Sequence, residues 1–446
     1  VLRVAFLGNI ANTHYRLARA LCEDGAVDAH CFVSSSDAPG WRPEADDTHL
    51  TAGYPEWVHE GDWVTASSVL RPQRAAVTRE LATFDLVVAS GVGPVFAQYA
   101  GRPWVFFVTG ADLTVKPFPL TFWRWYPTLA RRLAQVIAAT HQRRAIRRAD
   151  RVLLQPFAPM VEAADRLAVT GQARSPRYFP LPVDTDRFCP HGPVADLATD
   201  ADFVVFHPSR LVFDDSERMR RTGQWKGNDT LIRGFASFVR SDTAERPLLV
   251  LVDGPGSRDR AAARRLIAEL GITQSVHWAV PPNGDLFRQP EMAALYRRAD
   301  VVADEFGVGW FGFVTLEAAA CGRPILSHVD GSVMADLYPW HPIVDASTAD
   351  QVGERLRQLA GQPDLRAELG ARSRRWAEQF HAVDAIAGRY VDEFTSLAGE
   401  LVASRTTAKA TPSPARSSAG APPSGTVAPR AHAAAAAITS PNRPQS

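Results

Sequence analysis

The residues best suited to chemistry lie in the second half of the chain. His207-Pro208-Ser209-Arg210-Leu211 closes one apolar run, and Lys226-Gly227-Asn228-Asp229-Thr230-Leu231 opens a helical one. Free N–H groups and the positive dipole end of a helix start favour anions, and Arg210 and Lys226 add full charges. Together they could hold a diphosphate; taken alone, two solvated loop cations are the stronger alternative. Further on stands Gly309-Trp310-Phe311-Gly312-Phe313-Val314-Thr315-Leu316-Glu317-Ala318-Ala319-Ala320-Cys321-Gly322-Arg323-Pro324. Gly312 lets backbone N–H groups approach a phosphate closely. The Glu317 carboxylate could accept both hydroxyls of a ribose, or simply complement a helix dipole.

The first half carries fewer such residues. Gly8-Asn9-Ile10-Ala11-Asn12-Thr13-His14-Tyr15 follows the first apolar run, with Asn12 or Thr13 placed to cap a helix. Neither this loop nor Gly91-Val92-Gly93 matches G-x-G-x-x-G, so a nicotinamide or flavin site is not expected. Asp112, in Thr109-Gly110-Ala111-Asp112-Leu113-Thr114, could bind sugar hydroxyls, orient an acceptor, or cap a turn. Residues 113–149 contain no acid and eight basic residues: Lys116, Arg124, Arg131, Arg132, Arg143, Arg144, Arg147 and Arg148. Phe118, Phe122, Trp123, Trp125 and Tyr126 cluster at its start. That combination suits an anionic membrane surface through 116–148, at ~1 kcal/mol per basic residue. A core helix with a solvated basic face is the equal alternative. Nucleic acid is not expected as a partner, because the aromatics do not interleave with the arginines.

Elements that could position these residues follow from the alternation of short apolar runs and helical stretches. Val4–Leu7, Ala29–Val33, Leu86–Ala89, Trp104–Val108 and Arg151–Leu154 predict buried strands, and Tyr15–Leu21 a helix between two of them. After the proline-broken segment 179–188 the pattern restarts. Phe203–His207, Leu248–Val252, Val276–Ala279, Val301–Ala303 and Pro324–Ser327 predict strands. Thr230–Val239, Arg258–Leu270, Met292–Arg298 and Leu316–Ala320 predict helices. The expected fold class is α/β: two Rossmann-like doubly wound domains with a ligand cleft between their strand ends. Asp364–Leu397 predicts one long helix with Asp364 as its N-cap. The expected division is a first domain over 1–180, a hinge over 181–200, a second domain over 201–380, a returning helix over 381–400 and a disordered tail over 401–446.

Composition narrows the function classes. Of 446 residues, 46% are apolar and 22% charged, as in ordinary globular proteins. The net charge of +1 hides a split: five of the 49 basic residues and none of the 48 acids lie in 401–446, leaving −4 for the rest. A mildly acidic body argues against a general nucleic-acid binder. No apolar run is long enough to predict a membrane span. The opening Leu2–Gly8 predicts a strand and turn rather than a secretory signal. Cys22, Cys31, Cys189 and Cys321 are scattered, which predicts neither zinc nor disulfides and fits a cytoplasmic location.

His-x-Ser-Arg-Leu, Lys-Gly before a helix, Asp253-Gly254-Pro255-Gly256 after a strand, and Phe-Gly-x-x-x-Leu-Glu-Ala-x-Ala-x-Gly-x-Pro occur in that order. In this the chain resembles the two-domain (GT-B) retaining glycosyltransferases of family 4, the group 1 glycosyltransferases. The resemblance covers roughly 1–397 and is stronger in the second half. It implies a sugar transferase using a nucleoside diphosphate sugar, without a metal or other cofactor, and an acceptor that a basic-aromatic segment could make lipid-linked or part of the cell envelope. A cytoplasmic enzyme, peripheral on the inner membrane face, would follow. Arg210, Lys226 and Asp112 would be catalytic. Glu317 would hold the ribose, with the backbone of Phe311, Gly312 and Phe313 facing the phosphates and sugar. Gly8, Asn9, Asp253, Gly254 and Val280 would complete the donor site, Val280 beside the base. The family's first glutamate falls at Gly309 and its histidine at Thr109, so Asp304, Glu305, Gly309 and Thr109 are candidate sugar contacts. Val212–Trp225 forms an insertion between Arg210 and Lys226. A nucleotide-sugar-binding protein without transferase activity, and an epimerase on the same fold, remain alternatives.

Overall fold

A computed structural model describes residues 1–410 except 36, 48, 51–52, 121–127, 170–175, 198, 255–258, 283 and 285; of 66 and 401–410 only the backbone is described. The apolar runs of the first half form β1 (Leu2–Leu7), β2 (Val27–Ser34), β3 (Val58–Gly61), β4 (Leu86–Ala89), β5 (Trp104–Phe107), β6 (Arg151–Leu154) and β7 (Arg177–Tyr178). They pair in parallel in the order β3-β2-β1-β4-β5-β6-β7. Side chains alternate between two cores. Ala5, Leu7, Val87 and Phe106 face one, while Val4, Phe6, Val88 and Phe107 face the other. Helices cover both faces, which is why these strands are continuous apolar runs.

The second half repeats the design with β8 (Phe203–His207), β9 (Pro247–Val252), β10 (Val276–Ala279), β11 (Val301–Ala303), β12 (Ile325–Ser327) and β13 (Val344–Asp345). Their order is β10-β9-β8-β11-β12-β13, again all parallel. Each sheet reverses direction beside its first strand, β1 or β8. At such a switch point neighbouring loops leave on opposite faces and open a crevice at the strand ends. The ten expected strands all form. The three that patterning missed, β3, β7 and β13, are short edge strands, two of them just two residues long, with no apolar run to reveal them.

The long C-terminal helix differs from expectation. It is two helices, Pro363–Phe380 and Val383–Ala410, broken at His381-Ala382. Pro363 takes the first helical position and Gln362 the N-cap, so Asp364 is a first-turn acid and not the cap. At the break the hinge strand replaces helical bonds. Val183 N–H donates to the His381 carbonyl (2.8 Å), and Val383 N–H donates to the Val183 carbonyl (3.2 Å). Beyond it, Ile386, Tyr390, Phe394 and Leu397 pack into the first domain's core. Glu393 pairs with Arg151 and Arg177, each at 2.8 Å. Trp376 stays with the second domain, packed on Phe311 and Tyr338. The last helix runs in backbone to Ala410; residues 411–446, where most of the expected tail lies, fall outside the described residues. All four cysteines are free thiols. Among the described residues no helix is long and apolar enough to cross a membrane.

Candidate functional site

A cleft of about 470 Å³ lies between the two sets of strand ends. Loops after β1, β5 and β6 form one wall; loops after β8 and β11, with the start of the helix Phe313–Ala320, form the other. Its size suits a small-molecule substrate.

On the second-domain wall, His207 at the end of β8 is the keystone. Its Nδ1 donates to the Ala303 carbonyl (2.8 Å) at the end of β11, and its Nε2 accepts from the Asn228 amide (2.8 Å). Burial holds this imidazole below its ordinary pKa and keeps it neutral, as the bonding requires. Asn228 Oδ1 also accepts from Val212 N–H (2.8 Å). Two strand ends and the start of the helix Asn228–Val239 are thereby fixed together. Gly227 precedes that helix at φ 65°, and a Cβ there would lie 2.6 Å from that of Phe306, so the Lys226 loop needs glycine.

Lys226 and Arg210 both line the cleft, as expected. Lys226 pairs with Glu305, and Arg210 donates to Gln224 (3.0 Å). Asp304 accepts from Ser209 and Thr315, both at 2.7 Å. These two acids line the wall but serve mainly to hold it. Asp304 braces β11 against β8's loop and the Phe313 helix, and Glu305 orients Lys226. Burial raises the Glu305 pKa against the pull of Lys226. Phe311, Gly312 and Phe313 line the cleft too. The Phe311 ring stacks on Trp310 (4.5 Å) and packs into the core, so its backbone is what remains for a ligand. Gly312 caps the helix Phe313–Ala320 without a side chain, leaving first-turn N–H groups open.

Glu317 is not on the cleft wall. Its Oε2 accepts from Tyr296 (3.0 Å) and its Oε1 from Arg16 (3.3 Å) of the first domain. Arg16 also pairs with Asp46 (2.6 Å), and its guanidinium lies 4.8 Å from the Phe313 ring centre. Burial raises the Glu317 pKa to about 7, against the opposing pull of Arg16 and Tyr296. A ribose at this carboxylate would compete with Arg16 and Tyr296 for its oxygens. Asp253, Gly254, Val280 and Gly309 also stand apart from the cleft. Asp253 is held by Arg260 and Arg264, Gly254 follows it at the end of β9, Val280 is exposed after β10, and the Gly309 carbonyl accepts from Asp330 N–H (2.8 Å). Asp253 and Gly254 follow β9, beside β8, and Val280 follows the edge strand β10.

On the first-domain wall, Asp112 organises a turn. Its carboxylate accepts from the N–H groups of Gly91 (2.9 Å), Thr109 (3.1 Å) and Gly110 (2.9 Å), and from the Thr109 hydroxyl (3.0 Å). Burial raises its pKa. Of the roles open to Asp112, the turn-holding one is occupied, and Thr109 is likewise committed to it. Asn9 is locked: its amide donates to Asn12 and to the Trp41 carbonyl, both at 2.7 Å, and its Oδ1 accepts from Tyr15 N–H (2.9 Å). Asn12 occupies the N-cap position, but its side chain donates to the Arg42 carbonyl instead of capping. Gly8, at φ 93°, is required because a Cβ would lie 2.2 Å from the Ser90 carbonyl oxygen. Gly8 and Asn9 border a neighbouring small cavity rather than the cleft itself.

Three contacts that local patterning missed join the domains. Trp310 Nε1 donates to Gln155 (3.0 Å), Arg16 pairs with Glu317, and the Thr114 hydroxyl donates to the Thr222 carbonyl (2.9 Å). Thr222 belongs to the 212–225 insertion. Its Met219 and Trp225 pack on Val115, so the insertion spans the gap between domains. Lys116 faces the cleft rather than a membrane. Arg143 donates to the Pro117 carbonyl (2.7 Å) and Arg147 to that of Leu167 (3.1 Å). Phe118 lies under Arg166 (3.9 Å); Phe122, Trp123, Arg124, Trp125 and Tyr126 lie outside the described residues. Among the described residues no group of three or more His, Cys, Asp or Glu side chains is placed to hold a metal ion.

Two parallel doubly wound sheets facing across a cleft define the GT-B class of fold. Solved structures agree: HepE of Anabaena in complex with UDP and glucose superposes with a TM-score of 0.58 at 18% identity, covering 89% of this chain and 100% of that one. A glycosyltransferase of Rickettsia africae gives 0.60 at 12% identity, covering 89% and 98%. The chain is a GT-B protein related to the family 4 glycosyltransferases, and residues 218–376 match the family described as glycosyl transferases group 1. It is 31% identical over 236 residues to a D-inositol 3-phosphate glycosyltransferase of Saccharomonospora viridis, covering 49% of this chain and 50% of the relative. A protein of the same name from Gordonia bronchialis is 33% identical over 189 residues, 39% of each chain. The chain spans about half the length, or less, of these curated relatives.

Proposed function

We propose that the chain transfers a sugar from a nucleoside diphosphate sugar to an acceptor hydroxyl, with retention and without a metal. The observation that carries this reading is the clustering of Arg210, Lys226 and the uncapped start of the Phe313 helix on one wall of an interdomain cleft. As the sugar–phosphate bond breaks, negative charge grows on the leaving diphosphate. Lys226, already oriented by Glu305, and Arg210 stabilise that charge in place, with little reorganisation. The opposing domain covers the reacting atoms and limits hydrolysis of the donor. The UDP and glucose of the Anabaena structure support a nucleotide-sugar donor, and the names of the curated relatives support glycosyl transfer.

The test is a melting-temperature screen with UDP-, GDP- and ADP-sugars, followed by product analysis with a labelled donor. One nucleotide class should raise the melting temperature, since it binds the native state. Release of that diphosphate with sugar transfer to acceptor or water supports the reading. Binding without turnover identifies a nucleotide-sugar-binding protein, and an epimerised donor identifies an epimerase.

A lipid-linked acceptor at an anionic membrane, on its cytoplasmic face, is a second reading favoured by one surface. Leu129, Leu133 and Ile137 are exposed at successive turns of the helix Leu129–Ile146, with Leu120 exposed nearby and Arg131 and Arg144 on the same helix. An apolar stripe beside cations suits a bilayer interface. Flotation with phosphatidylglycerol vesicles, lost in a Leu129→Ser/Leu133→Ser variant, supports it; equal flotation of both proteins contradicts it.

A further inference from the structure

The 212–225 insertion is an ordered unit that touches both domains beside the cleft. Its helix Glu217–Arg221 leads into a turn in which Gly223 N–H donates to the Arg220 carbonyl (3.0 Å) and Gln224 N–H to that of Met219 (2.9 Å). The Arg220 guanidinium lies over the Trp225 ring at 3.6 Å. At the far end the Trp225 carbonyl abuts Gly307, where a Cβ would lie 2.3 Å from its oxygen, so the insertion is seated on the second domain. Met219 and Trp225 meet Val115 of the first domain.

Gln224 is the part of the insertion that faces the cations of the cleft. It lines the cleft with Arg210 and Lys226. Its Oε1 accepts from Arg210 Nη2 (3.0 Å), and its Nε2 donates to the Thr222 carbonyl (3.3 Å). These two bonds fix the face of the amide, because a guanidinium can only donate and a carbonyl can only accept. The same Thr222 carbonyl accepts from the buried Thr114 hydroxyl (2.9 Å). Thr114 closes the turn Ala111–Thr114, which starts at the Asp112-held loop of the opposite wall. A continuous path therefore runs from the first-domain wall through Thr114, the Thr222 carbonyl and Gln224 to Arg210. The Arg210 side chain is exposed, so burial does not choose its rotamer, and a fixed acceptor at its head narrows that choice.

We propose that Gln224 is a positioning residue for the transfer step: it aims the Arg210 guanidinium at the leaving diphosphate, and the Thr114–Thr222 contact sets its place when the domains stand together. Gln224 touches no reacting atom in this role and acts through Arg210. Being neutral, its amide orients the guanidinium without cancelling its charge, which a carboxylate in the same place would do. This inference rests on the transferase reading and deepens it by giving the insertion a part in preparing Arg210.

The experiment follows release of nucleoside diphosphate, to water or acceptor, from whichever UDP-, GDP- or ADP-sugar raises the melting temperature of the full chain. It compares the native protein with Q224M, R210A and the R210A/Q224M double variant. Q224M keeps the length of the side chain and removes both amide bonds. It should lower kcat about tenfold with KM changed less than about twofold. R210A should lower kcat further, and the double variant should match R210A within about twofold, because nothing is left to aim. Q224A, which adds no new group, should behave as Q224M does. T114V should slow the native protein and leave Q224M unchanged. A native kcat in Q224M beside a slow R210A overturns the inference while the transferase reading stands. A double variant slower than R210A by the full Q224M factor also overturns it, since Gln224 would then act apart from Arg210. A rise in KM alone overturns it too, and T114V slowing Q224M as much as native breaks the link to the first domain. A native kcat in R210A, or no nucleotide sugar bound or turned over by the native protein, instead refutes the transferase reading, and the inference falls with it.

Discussion

The two walls of the cleft are built differently. On the second-domain side the charged and polar groups have fixed partners: Asp304 with Ser209 and Thr315, Lys226 with Glu305, His207 with Asn228. On the first-domain side the surface is more aromatic and apolar, Asp112 is held by backbone N–H groups, and Lys116 lies within electrostatic reach of that carboxylate. A nucleoside diphosphate is the same charge in the same shape at every turnover. A preorganised wall suits it, because nothing need move as charge develops. The more apolar first-domain wall offers shape rather than charge to whatever lies against it.

The largest expected effect concerns one of the contacts that join the domains. Arg16→Ala leaves Asp46 and Glu317 as buried acids without their cation, and should cost about 3–5 kcal/mol of stability, read as a lower urea midpoint. A midpoint within experimental error of the native one would mean that the domains close without this pair. Next, Lys226→Ala should lower kcat about 10²–10³-fold, since removing one preorganised charge acts on the transition state, and it should also lower the melting temperature, because Glu305 is left as a buried acid without its cation. An equal loss on Ser209→Ala would blur the distinction between the charged groups and their braces.

The smallest effect tests Glu317. Its carboxyl titrates near pH 7 in the unliganded protein because burial disfavours its charge. Ribose hydroxyls donate to the ionised form, so donor binding should strengthen as pH rises through 7 and weaken as it falls. Between pH 8 and pH 6 the affinity should drop about tenfold, and Glu317→Gln should flatten the profile. A native profile already flat would leave Glu317 as an interdomain contact alone.

What was legible in the sequence tracks how local the cause is. The ten strands were readable because buried parallel strands are unbroken apolar runs. Arg210, Lys226 and Gly312 were readable because a strand end followed by a helix start is a short-range pattern. Edge strands β3 and β7 lacked that signal. Asp112 was correctly singled out, but its partner Gly91 lies in another loop, and residue type alone could not choose among its roles. The break at His381 escaped because its cause is the hinge backbone at Val183.

The sequence by itself determined two doubly wound domains, the order of their motifs and two cations, Arg210 and Lys226, that the fold brings to the cleft. Periodicity, strand-end glycines and helix starts are written within a few residues of one another. Only the tertiary structure decided which groups meet across the cleft. Arg16 reaches Glu317 over 301 positions of chain, the 212–225 insertion lands on Val115, and Lys116 turns inward to an aromatic cavity. Such meetings depend on how two folded bodies pack, and a charge carries no mark in the sequence of the partner it will find or lack.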